Sequence, residues 1–524
     1  MRMEKSDYSI VAMKPLKGDG AKGVTEMQRA ERRQLNFVFA DKPEQGRRQD
    51  KATGVSEANA WLRHIAKGKE SNPSAARVSD TRCLLEQVAS SPNLAKALMN
   101  VARNKGAAGV DGKSVKEVLQ NVWALLPKLQ HALLAESYRP GDIRRVWIPK
   151  PGGGERGLGI PNVIDRWVQE AVRQVLAPIF EPHFHRSSHG FRPKRGAQSA
   201  IAEAKRYIEE GCNVAVDLDL SKFFDRVNHQ RLLNRVAQRA EDGRVLKLIH
   251  RMLKAKVVMP DGAVIEVKEG TPQGGPLSPL LSNVVLDELD WELERRGLSF
   301  VRYADDANIY VRSERAGHRV MDSVRRYIEK RLRLKVNEEK SSVTSPDKVH
   351  FLGFCFRRNR DGELEVYLSE RSDRRIRARI RELTPRKWGQ SLERCFAGLN
   401  TYLRGWEAYF GGICTYGGAY RFQTLDRHIR RRLRALIIRQ KRRPRHLHRH
   451  LKARGVRGEV AARTAFSQRG TWHKSFTSAL HQAYPNAWFE KRVYTLWSEW
   501  QRKHPGPFTA SDGQLLLFAH EMAL

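Results

Sequence analysis

The chain has 524 residues and a formal charge of +38 with a pI near 10.4, far from the balance of an ordinary globular enzyme. Such an excess calls for a polyanionic partner, nucleic acid or an anionic membrane surface. No run of 18 apolar residues exists and the start, "MRMEKSDYSIVAMKPLKG", lacks the apolar stretch of a secretory signal, so a membrane role is the weaker expectation.

Residues 1–75 are polar and basic with little periodicity, and are expected to form a flexible extension with one helix near "ANAWLRHIAKG". From Leu84 apolar residues recur at helical spacing until Gly106. "IRRVWIPKPGGGERGLGIP" has the pattern of strand, glycine-rich turn and strand. The helix after it carries Val168, Val172, Val175, Leu176 and Ile179 on one stripe, with Asp165 as its expected N-cap. "CNVAVDLDL" predicts a buried strand, "PLSPLLSNVVLDELDWELERRG" a helix, and "LSFVRYADDANIYVRS" a hairpin. A further helix and the strand "VHFLGFCF" follow, so the expected class is α+β with a small antiparallel sheet. Beyond about residue 370 strands give way to helices, with Leu392, Phe396, Leu399, Leu403, Trp406 and Phe410 on one face. Cys83, Cys212, Cys355, Cys395 and Cys414 lie far apart without a CxxC, which points to reduced thiols in a cytoplasmic setting.

Asp305 and Asp306 stand side by side at the expected hairpin tip, and Asp219 ends an apolar strand far upstream. Acids converging in this way repel one another unless a cation neutralises them. Mg²⁺ suits a few carboxylate oxygens shared with phosphate and water. Two such ions roughly 4 Å apart perform in-line nucleotidyl transfer, and that chemistry accounts for the basic charge. Asp217 and Asp219 share a strand face, so alternation does not choose between them. Adjacent aspartates capping a turn remain the competing reading of "YADD" alone.

In order along the chain, "VDLDLSKFFDRVNH", "GTPQGGPLSPLLSNVVLDELD", "YADD", "LKVNEEKS" and "FLGF" resemble the motifs of reverse transcriptases, and most closely the group II intron-encoded reverse transcriptase/maturase family. "NKGAAGVDG" and "RGLGIPNVIDRW…" resemble that family's finger motifs, and the resemblance covers about residues 84–500. It implies a right-hand polymerase: fingers and palm over 76–365, a helical thumb or domain X over 366–455, and a basic, aromatic C-terminal region over 456–524 that binds nucleic acid.

By the resemblance, Asp219, Asp305 and Asp306 are the catalytic, metal-binding triad. Lys150, Arg156, Phe224, Gln273 and Lys340 contact the nucleotide, with Phe224 crowding the ribose 2′-OH. Phe351 and Phe354 are either a primer-side hairpin or core. The implied activity is RNA-directed DNA synthesis with two Mg²⁺ ions, joined to intron RNA binding that aids splicing and retrohoming. Partners are then intron RNA, RNA template, DNA primer or target, and deoxynucleoside triphosphates.

Residues 427–457 hold fourteen Lys or Arg and no acid. Leu425, Ile429, Leu433, Leu436 and Ile437 form a helical stripe that leaves Arg430, Arg431 and Arg434 outside it, so these three are expected to bind RNA phosphates. Later aromatics are either core or a surface for unpaired bases. No Cys/His cluster follows, so no metal-dependent endonuclease is expected. Two alternatives stay open: a splicing factor on a decayed polymerase scaffold, or a related polymerase recruited to phage defence or spacer acquisition.

Overall fold

Val214–Asp219, expected as a buried strand, lies inside an antiparallel sheet with partners on both sides. The computed structural model describes residues 53–67, 81–149, 154–385, 389, 391–441 and 443–505. Its contacts divide these residues into two units. The first holds the described residues up to Tyr207 and from Gly211 to Thr344; the second holds Ile208–Glu210 and those from Ser345 onward.

The first unit begins with helices Thr53–Lys67, Leu84–Ala89, Ser91–Arg103, Val115–Gln120 and Val122–Leu134. The described part of the expected N-terminal extension is thus a helix built into the core, with Ala58 and Leu62 fully buried. Burying one leucine in this way contributes about 1.5–3 kcal/mol. Ser114 and Glu117 close a capping box on Val115–Gln120, each side chain accepting from the other's backbone N–H. Helix Val163–Phe180 follows, with Val168, Val172 and Leu176 buried as its stripe predicts. Its N-cap position belongs to Asn162, not to Asp165 as expected. Asp165 lies three residues further in, where the Tyr138 hydroxyl and the Gly141 N–H donate to its carboxylate. Burial raises the Asp165 carboxyl above the usual carboxylate range.

The strands of this unit are β1 (Ile143–Pro149), β2 (Glu155–Ile160), β3 (Val214–Asp219), β4 (Val257–Val258), β5 (Val264–Ile265), β6 (Ser299–Tyr303), β7 (Asp306–Val311) and β8 (Ser342–Thr344). One sheet has the order β2-β1-β4-β5 and the other β6-β7-β3-β8. In the second sheet, Val214 and Val216 approach the helix Glu314–Tyr327, where Gly317 leaves room for them. Asp217 and Asp219, one residue out of phase, therefore face the opposite side.

The second unit opens with the hairpin β9 (Phe354–Arg358) and β10 (Leu364–Leu368). Phe351 and Phe354 are fully buried here, Phe354 against Tyr409 and Phe410. Helices Glu370–Leu383, Leu392–Phe410, Tyr416–Gln440, Pro444–Ala453 and Gly458–Ala465 follow, then four more of eight residues or fewer. Phe396, Leu399, Leu403, Trp406 and Phe410 are buried from one helix, and Phe422, Leu425, Ile429 and Leu433 from the next. Among the described residues no helix is long and apolar enough to cross a membrane.

Candidate active site

The register of the second sheet decides which acids meet. Asp219 on β3 is the cross-strand partner of Asp306 on β7, and Asp217 is the partner of Asn308. Paired residues share a face, so Asp217, Asp219, Asp306 and Asn308 form one polar patch on this sheet. Asn308 Nδ2 donates to Asp306 Oδ1 at 3.3 Å. Asp305 sits in the two-residue loop of the β6–β7 hairpin, only 6% exposed. Like charges this close cost free energy that a divalent cation relieves.

Three segments hold the patch in place. The end of β3 is tied to "LKVNEEKS": the Asp219 N–H donates to Ser341 Oγ at 3.1 Å, and its carbonyl accepts from the Asn337 N–H at 2.8 Å. Lys340 Nζ, from the same segment, lies 3.7 Å from Asp219 Oδ2. The hairpin loop is fixed from beneath by Arg302, a buried guanidinium with all five N–H groups bonded. It meets Asp290 twice, at 2.7 and 2.6 Å, and also Asn283 Oδ1, Ser188 Oγ and the Ala304 carbonyl. The third contact is steric. Ala304 has a positive φ of 58°, and a Cβ on Gly190 would stand 2.2 Å from the Ala304 nitrogen. Only glycine at 190 lets the "SSHGF" loop approach the hairpin so closely.

A cleft of about 830 Å³ opens beside this patch, lined by Asp219, Asp305, Phe224, Arg156, Gln273 and Lys340. Asp306 is not among its lining residues and stands one strand away from Asp219. Phe224 is 8% exposed and meets Phe223 edge to face, with its carbonyl accepting from the Thr271 N–H. Arg156 Nε donates to Gln273 Oε1 at 3.0 Å. Gly274, with φ +131°, lies where a Cβ would be 2.5 Å from the Gly159 carbonyl, so "TPQGG" can lie flat against β2. Lys150 falls outside the described residues. Burial raises the Tyr303 phenol, so the side chain paired with Asp306 stays neutral.

The expected phosphate-binding arginines are not deployed together. Arg434 is 3% exposed and donates from Nε and Nη2 to the Tyr484 carbonyl at 3.2 and 2.8 Å. Arg430 is half-buried. Arg431 lies over the rings of Trp472 and Phe476 and donates to the Trp472 carbonyl. The helical stripe left out a second layer of chain that covers these cations. Arg302 and Gly190 were missed too, although Arg302 leaves a signal: a lone cation between apolar residues in "SFVRYADD".

Comparison with known proteins identifies the frame. Residues 148–356 match the family described as reverse transcriptase (RNA-dependent DNA polymerase), and 374–455 the group II intron maturase-specific domain. Protein YkfC of Escherichia coli (strain K12) is 34% identical over 317 residues, 52% of this chain and 83% of that protein. The group II intron-encoded protein LtrA of Lactococcus lactis subsp. cremoris is 28% identical over 345 residues, 51% of this chain and 55% of LtrA. The chain belongs to the group II intron-encoded reverse transcriptase/maturase family. It therefore joins an RNA-directed DNA polymerase domain to a maturase domain, and the polymerase match includes β3, the β6–β7 hairpin and most of the residues lining the cleft beside them. The chain spans about half the length of LtrA, and a third of this chain (33%) is 36% identical to a putative COX1/OXI3 intron 2 protein of Saccharomyces cerevisiae, covering 20% of it. Family members of this kind use divalent metal ions and bind nucleic acid.

Proposed function

We propose that the cleft beside β3 and β7 is the nucleotidyl-transfer centre of a group II intron reverse transcriptase, with Asp219, Asp305 and Asp306 as ligands for two Mg²⁺ ions. One observation carries the proposal: the strand register that sets Asp219 opposite Asp306, with Asp305 in the adjoining loop on the cleft wall. The donors fit this ion. They are hard carboxylate oxygens, although among the described residues no three His, Cys, Asp or Glu side chains stand grouped so as to hold an ion by themselves. Mg²⁺ accepts a few such carboxylate oxygens and completes its shell with phosphate and water. When bound, two such ions favour the alkoxide form of a primer 3′-hydroxyl and neutralise the leaving pyrophosphate.

The remaining tasks fall to the chain's own side chains. Arg156 brings a guanidinium to the triphosphate from the β1–β2 hairpin, oriented by Gln273. Lys340 offsets charge at Asp219, and the Phe224 ring closes the space that a ribose 2′-OH needs. The substrates are deoxynucleoside triphosphates, an RNA template and a DNA primer or target. The second unit, with its maturase-domain match, binds the intron RNA to aid splicing and retrohoming. A cytoplasmic setting accords with five unbridged cysteines.

The test is primer extension on an RNA template with Asp305→Asn. Extension is expected to disappear while RNA affinity stays near that of the unaltered protein. Extension at the original rate would refute the metal-site assignment.

A further inference from the structure

Ten large hydrophobic side chains stand exposed among the described residues, and three of them fall within 466–476: Phe466, Trp472 and Phe476, at 51, 42 and 65%. A patch of this kind marks a binding surface more often than chance exposure does. It lies beyond residue 455, outside both matched family domains.

The rings are held rigidly. The Arg431 guanidinium, from helix Tyr416–Gln440, lies 4.2 Å from the Trp472 ring centre and 5.1 Å from that of Phe476. Its Nη2 donates to the Trp472 carbonyl at 3.3 Å, and buried Ser475 donates to the same oxygen at 2.7 Å. Lys474 Nζ reaches the Ala465 carbonyl at 3.0 Å, tying the turn that bears Phe466 to the Trp472 helix. Arg431 thus clamps two aromatic rings that stay largely open to solvent.

The surroundings fix the class of ligand. Between Asp426 and Glu490 the sequence has seventeen Lys or Arg against one acid, Glu459. Arg463, Arg469 and His473, from the same stretch of chain, are exposed as well. Cations alone serve any polyanion, duplexes included. Exposed rings add attraction only for a partner with open planar faces, which unpaired bases offer and stacked base pairs do not.

We propose that Trp472 and Phe476, clamped by Arg431, form with Phe466 a stacking platform for single-stranded nucleic acid, distinct from the polymerase cleft. The inference rests on the reading of the chain as a nucleic-acid enzyme and names a second surface for that partner.

The test uses the full chain and three probes: a uridine oligoribonucleotide, a thymidine oligodeoxynucleotide, and an RNA hairpin duplex of equal phosphate count. Affinities are measured at high salt, where phosphate contacts weaken, for Trp472→Leu/Phe476→Ala and for the aromatic-preserving Trp472→Phe/Phe476→Tyr. The first pair is expected to lose roughly tenfold or more on both single strands, with the duplex unchanged and the second pair close to the original. Photocrosslinking of a 4-thiouridine oligonucleotide should label peptides spanning 466–476. Equal loss on all three probes, unchanged single-strand affinity, or absence of that crosslink would overturn the platform. So would a change only in self-association on size-exclusion chromatography, which would assign the patch to contact between copies. Primer extension is run on each protein: if it persists while the platform fails, the polymerase reading is untouched. If the unaltered chain neither extends nor binds, that reading fails too.

Discussion

Replacing Arg302 with methionine tests how the aspartate hairpin is held. Arg302 and Asp290 are 1% and 0% exposed and share two bonds, so Arg302→Met leaves a carboxylate buried with no countercharge. Removing one partner of such a pair costs about 3–5 kcal/mol, a large share of the roughly 5–15 kcal/mol by which a domain is stable. Urea unfolding of the full chain, with hydrogen exchange across β6 and β7 locating the loss, measures it. Arg302→Met/Asp290→Leu removes both charges, and most of the stability should return, to within about 1–2 kcal/mol of the original. Extension activity should not return with it, because the double variant still lacks the guanidinium that donates to the Ala304 carbonyl at 2.8 Å beside Asp305. A single variant that loses less than about 1 kcal/mol would refute the buried-pair argument. A double variant with full activity would refute the tethering of the hairpin.

Phe224→Ala opens the cleft beneath the sugar, and the preference for deoxy- over ribonucleotides should fall roughly tenfold or more in single-nucleotide incorporation; an unchanged ratio removes Phe224 from that role. Arg434→Ala should cost about 2–3 kcal/mol in thermal or chemical unfolding, through its lost charged hydrogen bonds, and leave the salt slope of RNA binding unaltered. Arg445→Ala/Arg449→Ala, on exposed positions, should flatten that slope instead, and the opposite pattern would restore Arg434 as a phosphate ligand. Burial pushes the Asp426 carboxyl up to about 6, against the pull of the Leu496 and Trp497 N–H groups. The folded chain then holds this proton more tightly than the unfolded one, so stability from this group falls as pH rises from about 4 through 6. Asp426→Asn should remove that fall from the pH profile of unfolding, and a profile that keeps it points to another group.

Helices were legible because one apolar stripe determines a face. Val168, Val172 and Leu176 are buried where spacing puts them, and so are Phe396, Leu399, Leu403, Trp406 and Phe410. The hairpin tip was legible from two apolar runs around "ADD". The partners of β3 were not, because pairing Asp219 with Asp306 joins strands distant in sequence and no local pattern encodes that register. Strands as short as β4 and β5, of two residues each, carry too little alternation to detect. Asp165 fails as a cap for a related reason. A local rule weighs only its own helix start, whereas its carboxylate is claimed by Tyr138, on a different segment.

The same limit governs the basic helix Tyr416–Gln440, where it matters most for function. A stripe through Leu425, Ile429 and Leu433 says which face meets the first layer of core, and every cation off the stripe then looks free. The chain returns some fifty positions later, however, with Trp472, Phe476 and Tyr484, and covers a second side of the helix. Arg431 and Arg434 become supports of that layer, one through ring faces and one through a backbone carbonyl. The cations that stay exposed are others, Arg439, Arg443, Arg445, Arg449 and Lys452, at and after the helix end. A basic stretch thus divides its charge between holding the protein together and facing solvent, and only the packing of remote residues decides which arginine does which.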